Sequence, residues 1–192
     1  MKRRFFTVRK FSRDTEGVAA TEFALLMPVM LAMLLGTFEV YFAYTAEDQF
    51  SRYTVQVADL MSRENELVTT DITAMLNLAN RIMVEVDSEN LVELHVASIG
   101  FPKTGTPLTL WKRSAGGSSV TFDPADAAGI ALPGETVLRV ETHFTYTSPF
   151  TYFAKTNPNL KKKVVYFKPR ETRAIAIDSN VAETNVNWDA NI

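Results

Sequence analysis

The sequence predicts an α+β protein: a long N-terminal transmembrane and stalk helix, a second amphipathic helix, and a head domain built on an antiparallel β-sheet. Three observations carry this. From Val18 to Tyr44 the chain is mostly apolar, with Glu22 and Glu39 as its charges, and an apolar stripe at helical spacing continues beyond. Near Asp87 the period changes to alternation, which continues in several short runs. The connections between those runs are short and hold few crossover helices, which favours antiparallel pairing.

The 192 residues leave, beyond a membrane segment, room for one globular domain. Charge is unevenly spread. Residues 1–17 hold Lys2, Arg3, Arg4, Arg9, Lys10 and Arg13 against Asp14 and Glu16, a balance of +4; with a net charge of −2 overall, the rest carries −6. A basic tail before an apolar helix orients it with the tail in the cytoplasm and the body outside. The acidic body argues against nucleic acid, whose phosphates need clustered Lys and Arg. The chain has no cysteine, so disulfides and thiolate metal sites are excluded.

The first helix is long enough to span. Val18–Tyr44 reaches about 40 Å at about 1.5 Å per residue, against a hydrocarbon core of about 30 Å. The uncharged run Phe23–Phe38 reaches only about 24 Å, so Glu22 and Glu39 are expected near the two interfaces. Tyr41, Phe42 and Tyr44 gather at the far end, as in an aromatic belt. A cleaved secretory signal would have a shorter apolar core followed by a small-x-small site. Here the small residues Gly17, Ala19 and Ala20 precede the core instead.

That order resembles a prepilin, whose basic leader ends in Gly and whose apolar helix is retained after cleavage. Cutting after Gly17 makes Val18 the first mature residue and Glu22 the fifth. A carboxylate in lipid is costly alone and less so beside a cation. The new Val18 amine of a neighbouring subunit would be such a cation and would fix axial register. The alternative is a Glu22 that snorkels at the interface of a plain signal anchor.

The stretch "RDTEGVAATEFALLMPVMLAMLLGTFEVYFAY" resembles the N-terminus of TadE-like proteins, minor pilin-like components of the bacterial Tad (tight adherence, Flp-type) pilus apparatus. The pattern's Glu-Phe-Ala-Leu falls on Glu22–Leu25, its early proline on Pro28, and its second Glu, after Gly36, on Glu39. The segments "VADLMS", "TTDI", "LPGETV", "VETHFTYTSPF" and "YFKPRETR" resemble family segments in the same order. The chain departs from the family at His143-Phe144, where a Tyr often stands. The resemblance implies a minor pilin (pseudopilin) that is cleaved between Gly17 and Val18 by a prepilin peptidase and resides in the inner membrane. Glu22, Phe23, Pro28 and Glu39 would then serve register and assembly. The implied partners are the peptidase, other pilins and minor pilins, the inner-membrane assembly platform and the lipid bilayer, with no nucleic acid. The implied role is assembly, priming or capping of the pilus, without enzyme activity or cofactor. The rival is an uncleaved, signal-anchored periplasmic scaffold or ligand-binding module.

The expected division is a leader over 1–17, a transmembrane helix over 18–44, a helical stalk over 45–66 and a periplasmic α+β head over 67–192. Phe42, Ala46, Phe50, Tyr53, Val57 and Leu60 form the stripe that extends the first helix, and its outer half is expected to pack on its own domain. Thr70-Asp71 reads as the N-cap of a second helix carrying Ile72, Met75, Leu76, Ala79 and Met83. Leu91–Ile99 reads as a strand. Leu108–Trp111 and Ser119–Phe122 read as two strands around a "KRSAGGSS" hairpin loop, and "DPADAAGIALPGE" as a long loop. Val137–Thr147 alternates cleanly, with Leu138, Val140, Phe144 and Tyr146 on one face and Arg139, Glu141 and His143 on the other. Lys163–Phe167 and Thr172–Ile177 complete a sheet of four to six strands.

Candidate chemistry is sparse. His95 and His143 lie on predicted strands without the spacing of a helical zinc pair, and solvent-facing positions are expected for both, although they could meet across a sheet. Glu64, Glu66 and Asp71 lack the alternating oxygen ligands of a calcium loop and read as a solvated acidic bend, so no metal is expected. Lys161–Lys163 reads as a solvated charge run. Trp111, Tyr146, Tyr152, Phe153, Tyr166 and Phe167 are expected to supply core. No nucleophile elbow and no phosphate-binding glycine loop occurs in the sequence.

Overall fold

The computed structural model describes residues 15–83, 92–103, 106–117, 121–148 and 159–182. The chain divides into two compact units, Met1–Phe42 and Ala43–Ile192. Helix α1, Thr15–Ser62, contributes to both.

In the first unit the described residues are all helical. The helix is long and apolar enough to cross a membrane, with a mean hydropathy of 2.1 in its most apolar window. Its large side chains stay exposed, with Leu25 at 77% and Met33 at 71%. A continuous apolar surface of this kind is unfavourable in water and matched to hydrocarbon. The polar groups inside it are treated accordingly. Thr21 and Thr37 donate their hydroxyls to the carbonyls of Val18 and Met33, at 2.8 and 2.9 Å, so neither needs water. Pro28 lies inside the helix. Its ring removes one backbone hydrogen bond, a loss that spanning helices tolerate.

The second unit is a helix layer on a four-stranded antiparallel sheet. The strands are β2 (Val92–Gly100), β3 (Leu108–Ala115), β4 (Thr136–Tyr146) and β5 (Asn159–Phe167), in the order β3-β2-β4-β5. Alternation decides the two faces. On one face Leu138, Val140, Thr142 and Phe144 of β4 share a side with Leu94 and Val96 of β2, because Val96 pairs with Val140 and Leu94 with Thr142. The second half of α1 packs there through Phe50, Tyr53, Val57 and Met61, which join Leu94, Trp111, Val140 and Phe144 in one buried cluster. The Phe50 and Phe144 rings lie 5.6 Å apart, and the buried Thr54 and Thr142 hydroxyls bond at 2.5 Å.

Helices α2 (Thr69–Asn77) and α3 (Ala79–Ile82) follow a two-residue strand β1 (Glu66–Leu67), which pairs in parallel with β6 (Ala176–Ile177). The Tyr53 hydroxyl donates to the Met75 carbonyl at 3.1 Å and ties α2 to α1. Trp111 Nε1 donates to the Ile175 carbonyl at 2.7 Å and ties the β6 segment to the core.

The fold class, the long first helix, the second helix and the antiparallel sheet are as the sequence predicts. Several details are corrected. Met61, four residues after Val57, stays on the buried stripe, while Leu60 rotates off it and is exposed. The N-cap of α2 is Val68; Asp71 sits in the first turn and accepts the Val68 N–H at 2.8 Å. The stretch expected as a hairpin loop is instead strand as far as Ala115, paired with β2, and residues 121–122 form no strand. Ser119 and Val120 lie outside the described residues, as do Tyr152 and Phe153. The "DPADAAGIALPGE" segment contains a 3₁₀ turn, Pro124–Ala127, whose Ala127 is buried with Ile99, Phe101 and Val137 in a second cluster. Thr172–Ile177 shrinks to the two residues of β6. The lysine run is not simply solvated: Lys161 pairs with Glu47 at 3.0 Å, and Lys163 donates to Ser51 at 3.3 Å. Lys162, on the opposite strand face, pairs with Glu141 at 2.7 Å.

Candidate functional site

Two places hold the residues of interest. The first is the N-terminal part of α1. Gly17 and Val18 lie in its opening turns, and a Cβ added at Gly17 would meet no atom within 4 Å. Glu22 and Phe23 are exposed, Pro28 lies six residues after Glu22, and Glu39 is half-buried. A glycine in an otherwise open helical position has no packing reason to be glycine.

The second place is the sheet face turned away from α1. On a strand, residues i and i+2 share a face. Arg139, Glu141 and His143 of β4 therefore line it with Glu93 and His95 of β2. The two strands are in register so that His95 stands opposite Glu141 and Glu93 opposite His143. The imidazole rings meet edge to face with centroids 5.0 Å apart.

Glu141 is fully buried, yet it is well supplied with donors. Lys162 Nζ and His143 Nε2 each lie 2.7 Å from Oε1, and the Arg139 guanidinium pairs with Oε2. Burial alone would push this carboxyl up; Lys162, His143 and Arg139 together outweigh it and hold the group at about 2. The Arg139 guanidinium also lies 4.4 Å over the Phe122 ring, a cation–π contact that covers its second side. His95 Nδ1 bonds Ser114 Oγ at 2.9 Å, and its Nε2 lies 3.4 Å from Glu93 Oε2. Burial pushes the His95 imidazole down, against the opposing pull of its Glu93 hydrogen bond, and so favours the neutral ring. A small cleft opens beside these groups, lined by His95, Lys112, Ser114, Phe122 and Arg139.

The structure thus corrects the placement of the histidines. His95 is buried at 4% exposure and His143 is half-buried, because each finds partners on its own strand and on a neighbouring one: Glu93 and Ser114 for His95, Glu141 and Glu93 for His143. The sequence held a signal for this in Glu-x-His, present at Glu93–His95 and again at Glu141–His143. Each motif places both side chains on one strand face. That the two meet depends on strand register, which is non-local. The acidic bend forms no metal cluster among the described residues: Asp71 caps α2 and Glu66 accepts from the Ser179 N–H at 2.7 Å.

Residues 17–58 match the family model described as TadE-like protein. The match begins on Gly17, takes in Glu22, Phe23, Pro28 and Glu39, and ends within the half of α1 that packs in the second unit. Over that stretch the chain is similar to TadE-like proteins. Of the later segments that resemble the family, "VADLMS" begins inside the match and the others lie outside it. No curated protein and no solved structure matches the chain.

Proposed function

We propose that this chain is a TadE-like minor pilin, or pseudopilin, that serves assembly, priming or capping of a bacterial Tad (Flp-type) pilus. Its role is structural rather than enzymatic. The observation that carries this reading is the coincidence of three features on one helix. The family match starts at Gly17, the following run is apolar and exposed, and Glu22 stands five residues after Gly17.

The proposed course follows from the order of these features. A prepilin peptidase removes residues 1–17 at the cytoplasmic face. Residues 18–44 remain in the inner membrane, 45–66 continue the helix outward, and 67–192 form the periplasmic head. Exposed apolar side chains such as Phe23 give neighbouring pilin helices a surface to pack on, and Pro28 leaves a backbone carbonyl unbonded near it. In the assembled state Glu22 pairs with the Val18 amine of an adjacent subunit, because an isolated carboxylate in lipid is costly.

Glu22→Gln tests the pairing. The amide keeps the shape and removes the charge, so leader cleavage continues while recovery of other Tad pilins in quantitative pull-downs falls. Equal recovery at matched membrane levels would leave Glu22 as an ordinary interfacial residue. The rival reading is an uncleaved signal anchor carrying a periplasmic scaffold or ligand-binding module. It draws support from the helical backbone around Gly17 and Val18, which puts the bond between them inside a helical turn.

A further inference from the structure

We infer that the sheet face turned away from α1 binds a divalent transition-metal cation of the zinc class, with Glu93, His95 and His143 as its ligands. The two Glu-x-His motifs each set a carboxylate and an imidazole side by side on one strand face. Antiparallel pairing of β2 with β4 then lays the motifs head to tail, Glu93 opposite His143 and His95 opposite Glu141.

The distances fit an ion. Glu93 Oε2 lies 3.4 Å from His95 Nε2 and 3.3 Å from His143 Nδ1. Two ligands held about 2.0–2.1 Å from a tetrahedral zinc ion are themselves about 3.3–3.4 Å apart. These contacts therefore have the length of edges of a tetrahedral ligand shell. Each of the three residues offers a ligand atom within 4.8 Å of the other two.

The surrounding groups orient the ligands. His143 Nε2 lies 2.7 Å from Glu141 Oε1. A carboxylate only accepts, so Nε2 carries a proton, and Nδ1 is the nitrogen that faces Glu93. Ser114 Oγ, 2.9 Å from His95 Nδ1, can accept a proton from that nitrogen, the tautomer that presents Nε2 to an ion. Without an ion, the ring nitrogens that face Glu93 donate to its carboxylate; an ion takes the place of those protons and is held by two nitrogen lone pairs and one carboxylate oxygen. A histidine whose far N–H rests on a carboxylate is the usual arrangement of a metal-bound imidazole. Two nitrogens and one oxygen suit zinc better than calcium or magnesium, which take oxygen.

The site also has access and room. Glu93 is 38% exposed, against 5% and 15% for the His95 and His143 side chains, so an ion arrives from the Glu93 side. Three protein ligands leave a fourth position for water or for a donor from another molecule. A Cβ at Gly117 would fall 2.3 Å from Glu93 Cδ, so the glycine leaves the space that the carboxylate occupies.

The test uses the full-length chain without a histidine tag, purified in detergent, stripped with a chelator and titrated with zinc chloride or cobalt chloride. Saturable binding of one ion per chain is expected, with the visible absorption of tetrahedral cobalt. Glu141→Gln, which among the three ligands touches only the far nitrogen of His143 and also removes the charge facing Arg139 and Lys162, weakens zinc about 10–100-fold. Glu93→Gln and His143→Ala weaken it at least as much. Zinc raises the melting temperature of the wild type and leaves that of Glu93→Gln where it stands without metal. Absence of saturable binding, or equal affinity in wild type and Glu93→Gln, overturns the assignment and leaves a hydrogen-bonded polar ladder.

Discussion

At the scale of single residues, Asp178 joins a backbone conformation to a hydrogen-bond role. It takes a left-handed φ of 47°, a conformation that Asp and Asn reach more easily than most residues. From there its carboxylate accepts the Thr69 N–H at 2.9 Å and the Thr69 hydroxyl at 2.5 Å, and it pairs with Arg113 at 3.2 Å. One of the orphan donors at the start of α2 is thus satisfied by a residue far along the chain. The Thr69 hydrogen bonds, with Arg113 beside them, hold the Asp178 carboxyl below the usual carboxylate range. A depressed pKa stabilises the fold above the unfolded value of about 3.9, and that stability is lost as pH falls through the lower folded value. Asp178→Asn keeps the left-handed turn and removes the charge. It should lower the unfolding midpoint at pH 7, with the difference from wild type shrinking below about pH 4. An equal deficit at pH 7 and pH 3 would show that the charge contributes nothing. None of this was legible beforehand, since Asp178 and Thr69 are brought together only by the β1–β6 pairing.

At the scale of elements, α1 is two helices in function and one in backbone. Its first half carries apolar side chains on an exposed surface, and its second half buries Phe50, Tyr53, Val57 and Met61 against the sheet. Phe50→Ala should therefore destabilise the second unit by about 3–5 kcal/mol, the range for truncating a buried aromatic. Leu25→Ala, at an exposed position, should leave its urea midpoint unchanged. A similar midpoint for both variants in detergent would contradict the division. The stripe on α1 was readable because helical spacing is a local property of the sequence, and β4 was readable because strict alternation is local too. The β1–β6 pair was not, since two residues cannot display a period. The outer part of strand β3 is hidden in the sequence because Lys112, Arg113 and Ser114 look like a polar loop. Arg113 is in fact held by Thr69 and Asp178, and Ser114 by His95. The same limit hid the histidine cluster: each Glu-x-His is visible in the sequence, but their meeting is a matter of register.

At the scale of the whole molecule, the sequence conveyed the fold class and the membrane-compatible helix, because both rest on composition and period summed over long segments. The N-terminal pattern carries the resemblance to TadE-like proteins, and the family match falls on residues 17–58. The proposed role as a minor pilin rests on one covalent event, the loss of the basic leader after Gly17. The small residue there has no packing partner in the helix, as a recognition position would not require one. Gly17→Leu should leave the helix intact and block processing. The most direct measurement is the N-terminal sequence and intact mass of the membrane-associated protein from cells with a working Tad system. The account predicts a mature chain that begins at Val18 in the wild type and at Met1 in Gly17→Leu. A wild-type protein that retains Met1 in those cells would contradict it.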